Sequence, residues 1–120
     1  MTKMITTGAL LAAAVAFYKQ SRHDAAETVY RTVLRRDPNR ADAVYGLGLV
    51  TLAKGDAQES VRLIEAAIGL GGEQANIRFG LGCALVGAGR LDEAIQAFER
   101  ATNLDPTLAE AHHNSTIASH

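Results

Sequence analysis

The residues that could carry out chemistry in this chain are few, and their spacing does not favour a reaction centre. Two histidines adjoin at His112 and His113, and a third, His120, ends the sequence. Adjacent residues on a helix point about 100° apart, so these two imidazoles cannot readily share one metal ion. A ligand one turn after His113 would fall on Ile117, which cannot bind a metal. The sequence therefore predicts no metal site.

Cys83 is the other candidate, and no general base stands beside it in the sequence. A lone cysteine on an apolar helix usually packs in a core. The chain also has no pair of carboxylates in a plausible pocket, no nucleophile–base arrangement, and no strand that a glycine-rich phosphate-binding loop could follow. We therefore predict a protein that is not an enzyme and that binds no cofactor.

A cluster of arginines is the remaining charged feature, at Arg31, Arg35, Arg36 and Arg40. Arg35 and Arg36 lie near the end of a predicted helix, where positive charge interacts favourably with the helix dipole. A structural role is therefore the first interpretation. Contact with an acidic partner is the alternative.

Composition restricts the fold and the partners. The 120 residues are the size of one domain, and 48% are hydrophobic but only 5% aromatic, so the core is mainly Ala, Leu, Val and Ile. Such a core suits closely packed helices better than a sheet. The formal net charge of −1 does not favour nucleic-acid binding.

Charge is distributed unevenly along the chain. Residues 1–40 contain seven Lys/Arg and three Asp/Glu, whereas residues 41–120 contain five and ten. This polarity either favours head-to-tail contact between copies of the chain or is an incidental bias of a solvated surface, whose charges are screened beyond a Debye length.

A repeat of 34 residues sets the elements that hold these groups. Gly48 and Gly82 are one period apart, and the pairs Leu47/Leu81, Gly55/Gly89, Ile64/Phe98 and Ala67/Ala101 keep the same spacing. A fixed period of this size predicts a solenoid, in which each unit buries its apolar face by stacking on its neighbours.

The register predicts three units, 7–40, 41–74 and 75–108, followed by a capping or truncated helix over 109–120. Apolar residues at i, i+3 and i+4 spacing predict two helices in each unit, so the fold class is all-α within a single domain over 1–120. Capping residues are expected at three helix starts, namely Asp56 with Glu59, Asn39 with Asp42 after Pro38, and Thr107 with Glu110.

The third unit carries the sequence pattern of a known family. Leu81-Gly82, Leu85, Gly89, Phe98, Ala101 and Asp105-Pro106 together resemble the tetratricopeptide repeat, and the other two units match it more loosely. The resemblance implies a right-handed superhelical solenoid of antiparallel helix pairs.

The resemblance also implies that the first helix of each unit lines a concave groove that binds a protein or peptide partner. The groove positions of the family correspond here to Leu11, Val15, Tyr18, Lys19, Asp42, Tyr45, Leu49, Leu52, Asn76, Phe79, Cys83 and Val86. This set is mostly apolar, and Lys19 is its one cation, so a clamp for an acidic peptide terminus is not expected.

An apolar groove suits the hydrophobic face of a partner helix, or an extended apolar segment. We therefore predict a non-catalytic scaffold or adaptor. Three alternatives remain open: cover of the groove by the same chain, self-association into a homo-oligomer, or a docking segment of a larger enzyme such as a glycosyltransferase or methyltransferase.

The start of the chain permits two interpretations. Met1–Ser21 contains an apolar run that could pass for a short secretory signal and is too short to span a membrane. The same residues keep the repeat register, so we predict a first helix rather than a signal. A single cysteine fits a reducing compartment, and we expect a bacterial, cytoplasmic protein with no membrane contact.

Overall fold

The computed structural model describes residues 5–72 and 74–107, and every regular element in these ranges is an α-helix. This confirms the predicted all-α class. The first residues of the first, third and fifth helices are 34 positions apart. The helices are α1 (Thr7–Lys19), α2 (His23–Arg36), α3 (Ala41–Ala53), α4 (Ala57–Gly69), α5 (Ala75–Gly87) and α6 (Leu91–Leu104).

The helices stack in chain order into an elongated body of 54 × 28 × 26 Å. Each helix packs against the next, and α3 also contacts α1 and α5. Within the described ranges, α2, α4 and α6 make little or no contact with one another. The array therefore curves with α1, α3 and α5 on its inside, as expected of a solenoid of helix pairs.

Side-chain hydrogen bonds cap the N-termini of only some of the helices. Thr6 Oγ1 accepts from the Ala9 amide at 3.1 Å at the start of α1. Asp56 Oδ1 accepts from the Glu59 amide at 3.2 Å at the start of α4. This confirms half of the predicted capping box, because the Glu59 carboxylate binds Arg62 Nε at 2.6 Å.

The prediction of a cap at Asn39 is wrong. The N-cap of α3 is Arg40, which makes no side-chain capping bond. Asp42 Oδ1 accepts instead from the amide of Ala43 at 2.8 Å and from Arg40 Nε at 3.0 Å. At the third predicted cap, Asp105 Oδ1 accepts from the Thr107 amide at 3.0 Å, while Glu110 lies outside the described residues.

Tight turns follow helices at repeated positions. Gly55 (φ 98°) and Gly89 (φ 78°) end α3 and α5 in the left-handed region, which glycine adopts without steric cost. Ser21 stands one period before Gly55 and has φ 60°. A residue with a Cβ pays roughly 1–2 kcal/mol in that region, so the repeat geometry overrides local preference at the first turn.

Glycines allow the helices of the array to approach closely. A Cβ added at Gly48 would lie 2.7 Å from Cγ1 of Ile64, and one added at Gly82 would lie 2.6 Å from Cδ1 of Phe98. These contacts join the two helices of one unit, as the sequence predicted. The close approach fixes the angle of each helix pair.

A second pair of glycines, absent from the sequence-based prediction, serves the junctions between units. Gly46 on α3 lies against the ring of Tyr30 from α2, and Gly80 on α5 lies against the ring of Tyr45 from α3. Gly46 and Gly80 are themselves 34 residues apart. The period could therefore have revealed them.

Buried side chains form two hydrophobic clusters along the array. Val33 and Val50 belong to the first cluster, and Ile64 and Leu85 belong to the second. Tyr45 packs against both. One buried polar side chain occurs in the described ranges, Ser60, whose hydroxyl donates to the Gly48 carbonyl at 2.7 Å and so satisfies its hydrogen bond inside the core.

Candidate functional site

The candidate site is the inner surface, defined as the surface formed by α1, α3 and α5. These helices follow one another on the concave side of the array. All twelve residues assigned to a groove by sequence lie on these three helices. Their side chains differ in what they contact, and this decides which of them are open to a partner.

These twelve residues are called the row below, and its apolar members range from half-buried to exposed. Leu11 and Tyr18 pack partly against the first cluster. Leu49 and Leu52 pack partly against the second. Val15 on α1 is 41% exposed and Val86 on α5 is 48% exposed, so the row keeps open apolar side chains at both of its ends.

Tyr45 ties two units together. Its hydroxyl donates to the main-chain oxygen of Asn76 at 3.0 Å, and its ring covers Gly80, where an added Cβ would lie 2.7 Å from Cε1. Burial, followed by the nearby Cys83 and Tyr18, raises the pKa of Tyr45 to about 12. The side chain therefore forms part of the wall between α3 and α5, and its hydroxyl is already engaged.

Phe79 and Cys83 line the inner surface of α5 and are also partly buried. The ring centroid of Phe79 lies 5.0 Å from that of Phe98, in a tilted aromatic pair that contributes to packing within the third helix pair. Burial raises the pKa of the Cys83 thiol. A thiol with a raised pKa stays protonated at neutral pH and is a poor nucleophile.

The polar members of the row are exposed, but they differ in which of their groups are already hydrogen-bonded. Lys19 ends α1. The Asp42 carboxylate is engaged by Arg40 and by the amide of Ala43. Asn76 lies in the first turn of α5, and its main-chain oxygen accepts from Tyr45. Among the twelve predicted groove residues, Lys19 is therefore the one cation, and the carboxylate of Asp42 is already paired.

The four arginines noted in the sequence are each held by a different group. Arg31 Nε pairs with Glu27 at 2.9 Å, and Arg35 donates to the hydroxyl of Thr32 at 3.1 Å. Arg36 donates to the main-chain oxygen of Ile5, and Arg40 pairs with Asp42. Three of these contacts are with residues at most four positions away, and that of Arg36 reaches a residue 31 positions away.

Ion pairs between units were not foreseen from sequence. Lys54 Nζ lies 2.6 Å from Asp24 and 2.8 Å from Glu27, which joins the end of α3 to the start of α2. The hydrogen bond from Lys54 lowers the pKa of both carboxyl groups. The partners are 30 and 27 residues apart, so only knowledge of the stacking register could have paired them.

The described part of the chain contains neither a cluster of metal ligands nor a helix that could span a membrane. Between residues 5 and 107, leaving out 73, no group of three or more His, Cys, Asp or Glu side chains could hold a metal ion. His112, His113 and His120 lie outside the described residues. None of the six helices is both long and apolar enough to cross a bilayer.

Comparison with known proteins agrees with the geometry. The chain is 35% identical over 89 residues to the Protein CTR9 homolog of Arabidopsis thaliana, which covers 73% of this chain and 8% of that protein. An O-GlcNAc transferase of Thermobaculum terrenum superposes with a TM-score of 0.81 at 27% identity, covering 86% of this chain and 21% of the other.

A third match is to YrrB, described as a TPR protein with an unusual peptide-binding site. It superposes with a TM-score of 0.77 at 25% identity, over 84% of this chain and 52% of YrrB. The model of the tetratricopeptide repeat matches residues 11–75 and again 51–109. Since those two segments together cover most of the sequence, the chain belongs to the tetratricopeptide repeat family.

Proposed function

We propose that this protein is a non-catalytic interaction module that holds an apolar or amphipathic segment of another protein on its inner surface. The observation that carries the proposal is the row of open or half-open apolar side chains on three consecutive inner helices. Val15 and Val86 are the most exposed of them. Clustered exposed apolar side chains usually mark interaction sites on soluble domains.

The chemistry of the row favours an amphipathic helix over a charged peptide end. Lys19 is the one cation among the proposed contact residues, and Asp42 is already neutralised by Arg40. A terminal carboxylate placed here would lose its hydration without gaining enough donors. A helix with apolar residues at i, i+3, i+4 and i+7 would instead place a continuous apolar stripe on the row.

Six of the twelve proposed contact residues divide into two groups. Val15, Leu49, Leu52 and Val86 are aliphatic and, in our proposal, contact the partner directly. Tyr45 and Phe79 form the rigid wall behind them, because each ring already packs on another helix. A substitution of either aromatic residue would therefore disturb folding as well as binding.

The sharpest test uses the exposed valines. We expect Val15→Glu combined with Val86→Glu to weaken binding of a designed amphipathic Leu/Lys peptide at least tenfold, because two charges would enter the apolar contact. Titration followed by fluorescence anisotropy and by amide chemical shifts measures both affinity and location. A peptide of the same composition in scrambled order is the matched ligand control.

Leu70→Glu is the matched protein control, since Leu70 is 40% exposed at the C-cap of α4, which is not one of the inner helices. It should bind the peptide as the unmodified protein does. Unchanged affinity in the double valine variant, or shifts confined to α2, α4 and α6, would contradict the proposed surface.

A second candidate function is a docking or regulatory segment of a larger enzyme, such as a glycosyltransferase or methyltransferase. The lengths of the relatives favour it: the chain spans 8% of the CTR9 homolog and 21% of the O-GlcNAc transferase. A reading frame that continues past His120 into a catalytic domain would support this alternative. A natural stop codon at that point would support the adaptor.

The compartment belongs to the same proposal. Cys83 is a free thiol in the structure, which fits a reducing compartment such as the bacterial cytoplasm. Fractionation of cells that express the tagged full-length gene would test this, and recovery of the protein in the periplasm or medium would contradict it.

A further inference from the structure

One face of α6 is open at the repeat positions that α4 uses to hold the next unit. Val61 on α4 is 1% exposed where α5 packs on it, whereas Ile95, one period later on α6, is 54% exposed. Ala57 on α4 lies 3.2 Å from the point where a Cβ of Gly87 would stand. Its counterpart on α6 is Leu91, which is 58% exposed. Within the described ranges, this face of α6 therefore keeps two exposed, large apolar side chains.

Helix α1 presents the other half of the same kind of junction. Three positions on each later inner helix pack against the preceding unit, and they are buried: Ala43, Gly46 and Val50 on α3, and Ile77, Gly80 and Ala84 on α5. The same positions on α1 hold Ala9, Ala12 and Ala16, and all three are exposed. An outer face of α1 thus keeps the small apolar residues of a junction, and no helix among residues 5–72 and 74–107 covers it.

The charged groups at the α4/α5 junction indicate which residues would face each other in a junction of the same kind between two chains. Arg90, the N-cap of α6, donates from Nη1 to Oε1 of Gln58 on α4 at 3.4 Å, and so joins the second unit to the third. The pKa of Arg90 is raised first by its hydrogen bond to Glu93 and also by the charge of Glu65 on α4. Gln58 and Glu65 therefore mark the part of a second helix that faces this arginine of the following unit.

The corresponding residues at the two ends of the chain are oppositely charged. Two periods before Arg90 stands Arg22, which follows α1. One period after Gln58 and Glu65 stand Asp92 and Glu99, both exposed on α6. At the internal junction, Arg90 faces one uncharged residue and one acidic residue. In a junction of the same kind between two chains, Arg22 would face two carboxylates. Helix α1 itself contains Lys19 and no acidic residue.

We propose that the protein binds a second copy of itself head to tail, with α1 of one copy seated on α6 of the other as α5 is seated on α4. Both the apolar match and the charge match favour a second copy as the occupant. The contact is heterologous, since each copy keeps one unused face, and further copies can add in line. It involves the two ends of the array and leaves the inner surface free.

The association should be weak. Ala12 carries a methyl group where Gly46 and Gly80 have none, so the two helices cannot approach as closely as those inside the chain. A contact of one helix on another also lies in the range of small interfaces, below about 1,200 Å². We therefore expect a dissociation constant of about 10–500 μM, corresponding to about 4.5–7 kcal/mol.

A mixing experiment with the full chain tests the geometry. Ala12→Glu blocks the α1 face, and Ile95→Glu blocks the α6 face, so each variant alone should remain a monomer in sedimentation equilibrium at concentrations where the unmodified protein associates. An equimolar mixture should restore association and stop at a dimer, because the mixture contains a single compatible pair of faces.

Gln96→Glu is the matched control, because it places the same charge one residue from Ile95 at the position of the exposed Arg62; it should associate normally. Circular dichroism of each variant verifies folding. The proposal is overturned by an unmodified protein that stays monomeric to about 1 mM, which includes the case in which residues 108–120 of the same chain cover α6. Unimpaired association of either single variant, or a mixture that fails to dimerise, would also overturn it.

Discussion

The α2/α3 junction and the α4/α5 junction have the same register, but different side chains seal them. At the first, Tyr30 from the second helix of a unit lies over Gly46. At the second, the position of Tyr30 is taken by Ile64, and Tyr45 from the preceding inner helix lies over Gly80 instead. The comparison shows that the glycine determines the close approach, whereas the covering ring can come from either neighbouring helix.

Polar contacts differ between the junctions as well. Lys54 binds two carboxylates on α2 across the first junction. Across the second, the Tyr45 hydroxyl binds the main-chain oxygen of Asn76. An exposed ion pair is screened by salt and contributes little, whereas a hydrogen bond between two uncharged groups, a hydroxyl and a carbonyl, depends little on salt. The two junctions should therefore respond differently to pH and ionic strength.

The largest expected effect is at the glycines. Gly46→Ala should destabilise the protein by about 1–3 kcal/mol through overpacking, because Tyr30 is 5% exposed and has no room to move. Gly80→Ala should cost less, since Tyr45 is only half-buried and can turn outward. Urea unfolding followed by circular dichroism gives both free energies.

Gly8→Ala is the control for helix propensity, since nothing lies within 4 Å of a Cβ added at Gly8. That substitution should stabilise α1 by up to about 1 kcal/mol. If Gly46→Ala were as stable as Gly8→Ala, the close contact between Tyr30 and Gly46 would not constrain the junction.

The next largest effect is at Tyr45. Removal of its hydroxyl in Tyr45→Phe should cost about 0.5–1.5 kcal/mol, the usual net contribution of one hydrogen bond. The pKa of Tyr45 is raised to about 12 in the folded protein, chiefly by burial. Its contribution to stability is therefore complete below the ordinary value of 10.0 and is lost as the pH rises through about 12.

Between pH 10.0 and pH about 12, the melting temperature of the unmodified protein should fall more steeply than that of Tyr45→Phe. Tyr18→Phe is the matched control: it also removes a phenol from the inner surface, and no hydrogen bond involves the Tyr18 hydroxyl in the described part of the chain. Equal slopes for the unmodified protein and Tyr45→Phe would contradict the assignment.

The smallest effect is expected at Lys54. Lys54→Met keeps the aliphatic stem and removes both ion pairs, so the change in melting temperature at neutral pH should be slight. Lys54 lowers the pKa of Asp24 and Glu27 in the folded state. The stability from these pairs is present above their ordinary values of 3.8 and 4.5 and is lost as the pH falls below them.

Lys54→Met should therefore lose less stability than the unmodified protein between neutral pH and the acid range. Raising the ionic strength to about 1 M, where the Debye length is about 3 Å, should reduce that difference. A difference that does not change with salt would indicate that the lysine acts through packing of its stem.

Sequence periodicity was sufficient for the helices and for half of the close contacts. The 34-residue spacing of Gly48 and Gly82 predicts the tight pairing seen in each unit, and the turn glycines Gly55 and Gly89 lie where the register places them. The cap at Asn39 was mispredicted because Asp42 binds its own neighbours and leaves no side-chain cap at that start.

The roles of the inner residues were harder to predict. A helical register shows that Tyr45 lies on the inside, but it cannot show that its ring covers Gly80 and its hydroxyl reaches Asn76 on the next inner helix. Those contacts depend on the distance between units, which follows from the glycine at position 80. Likewise, Val15 and Val86 are exposed whereas Leu49 is half-buried, and this difference is a property of the stacked array.

The position of Tyr45 has a consequence for how cooperatively the array unfolds. Repeat proteins behave as one-dimensional chains of coupled units, and the coupling between neighbours decides whether they melt together or one at a time. Because Tyr45 packs on both hydrophobic clusters, it links the melting of the first half to that of the second. Tyr45→Ala should split a single cooperative unfolding transition into two. The same ring would then limit how strongly binding at one end of the array is coupled to the other end.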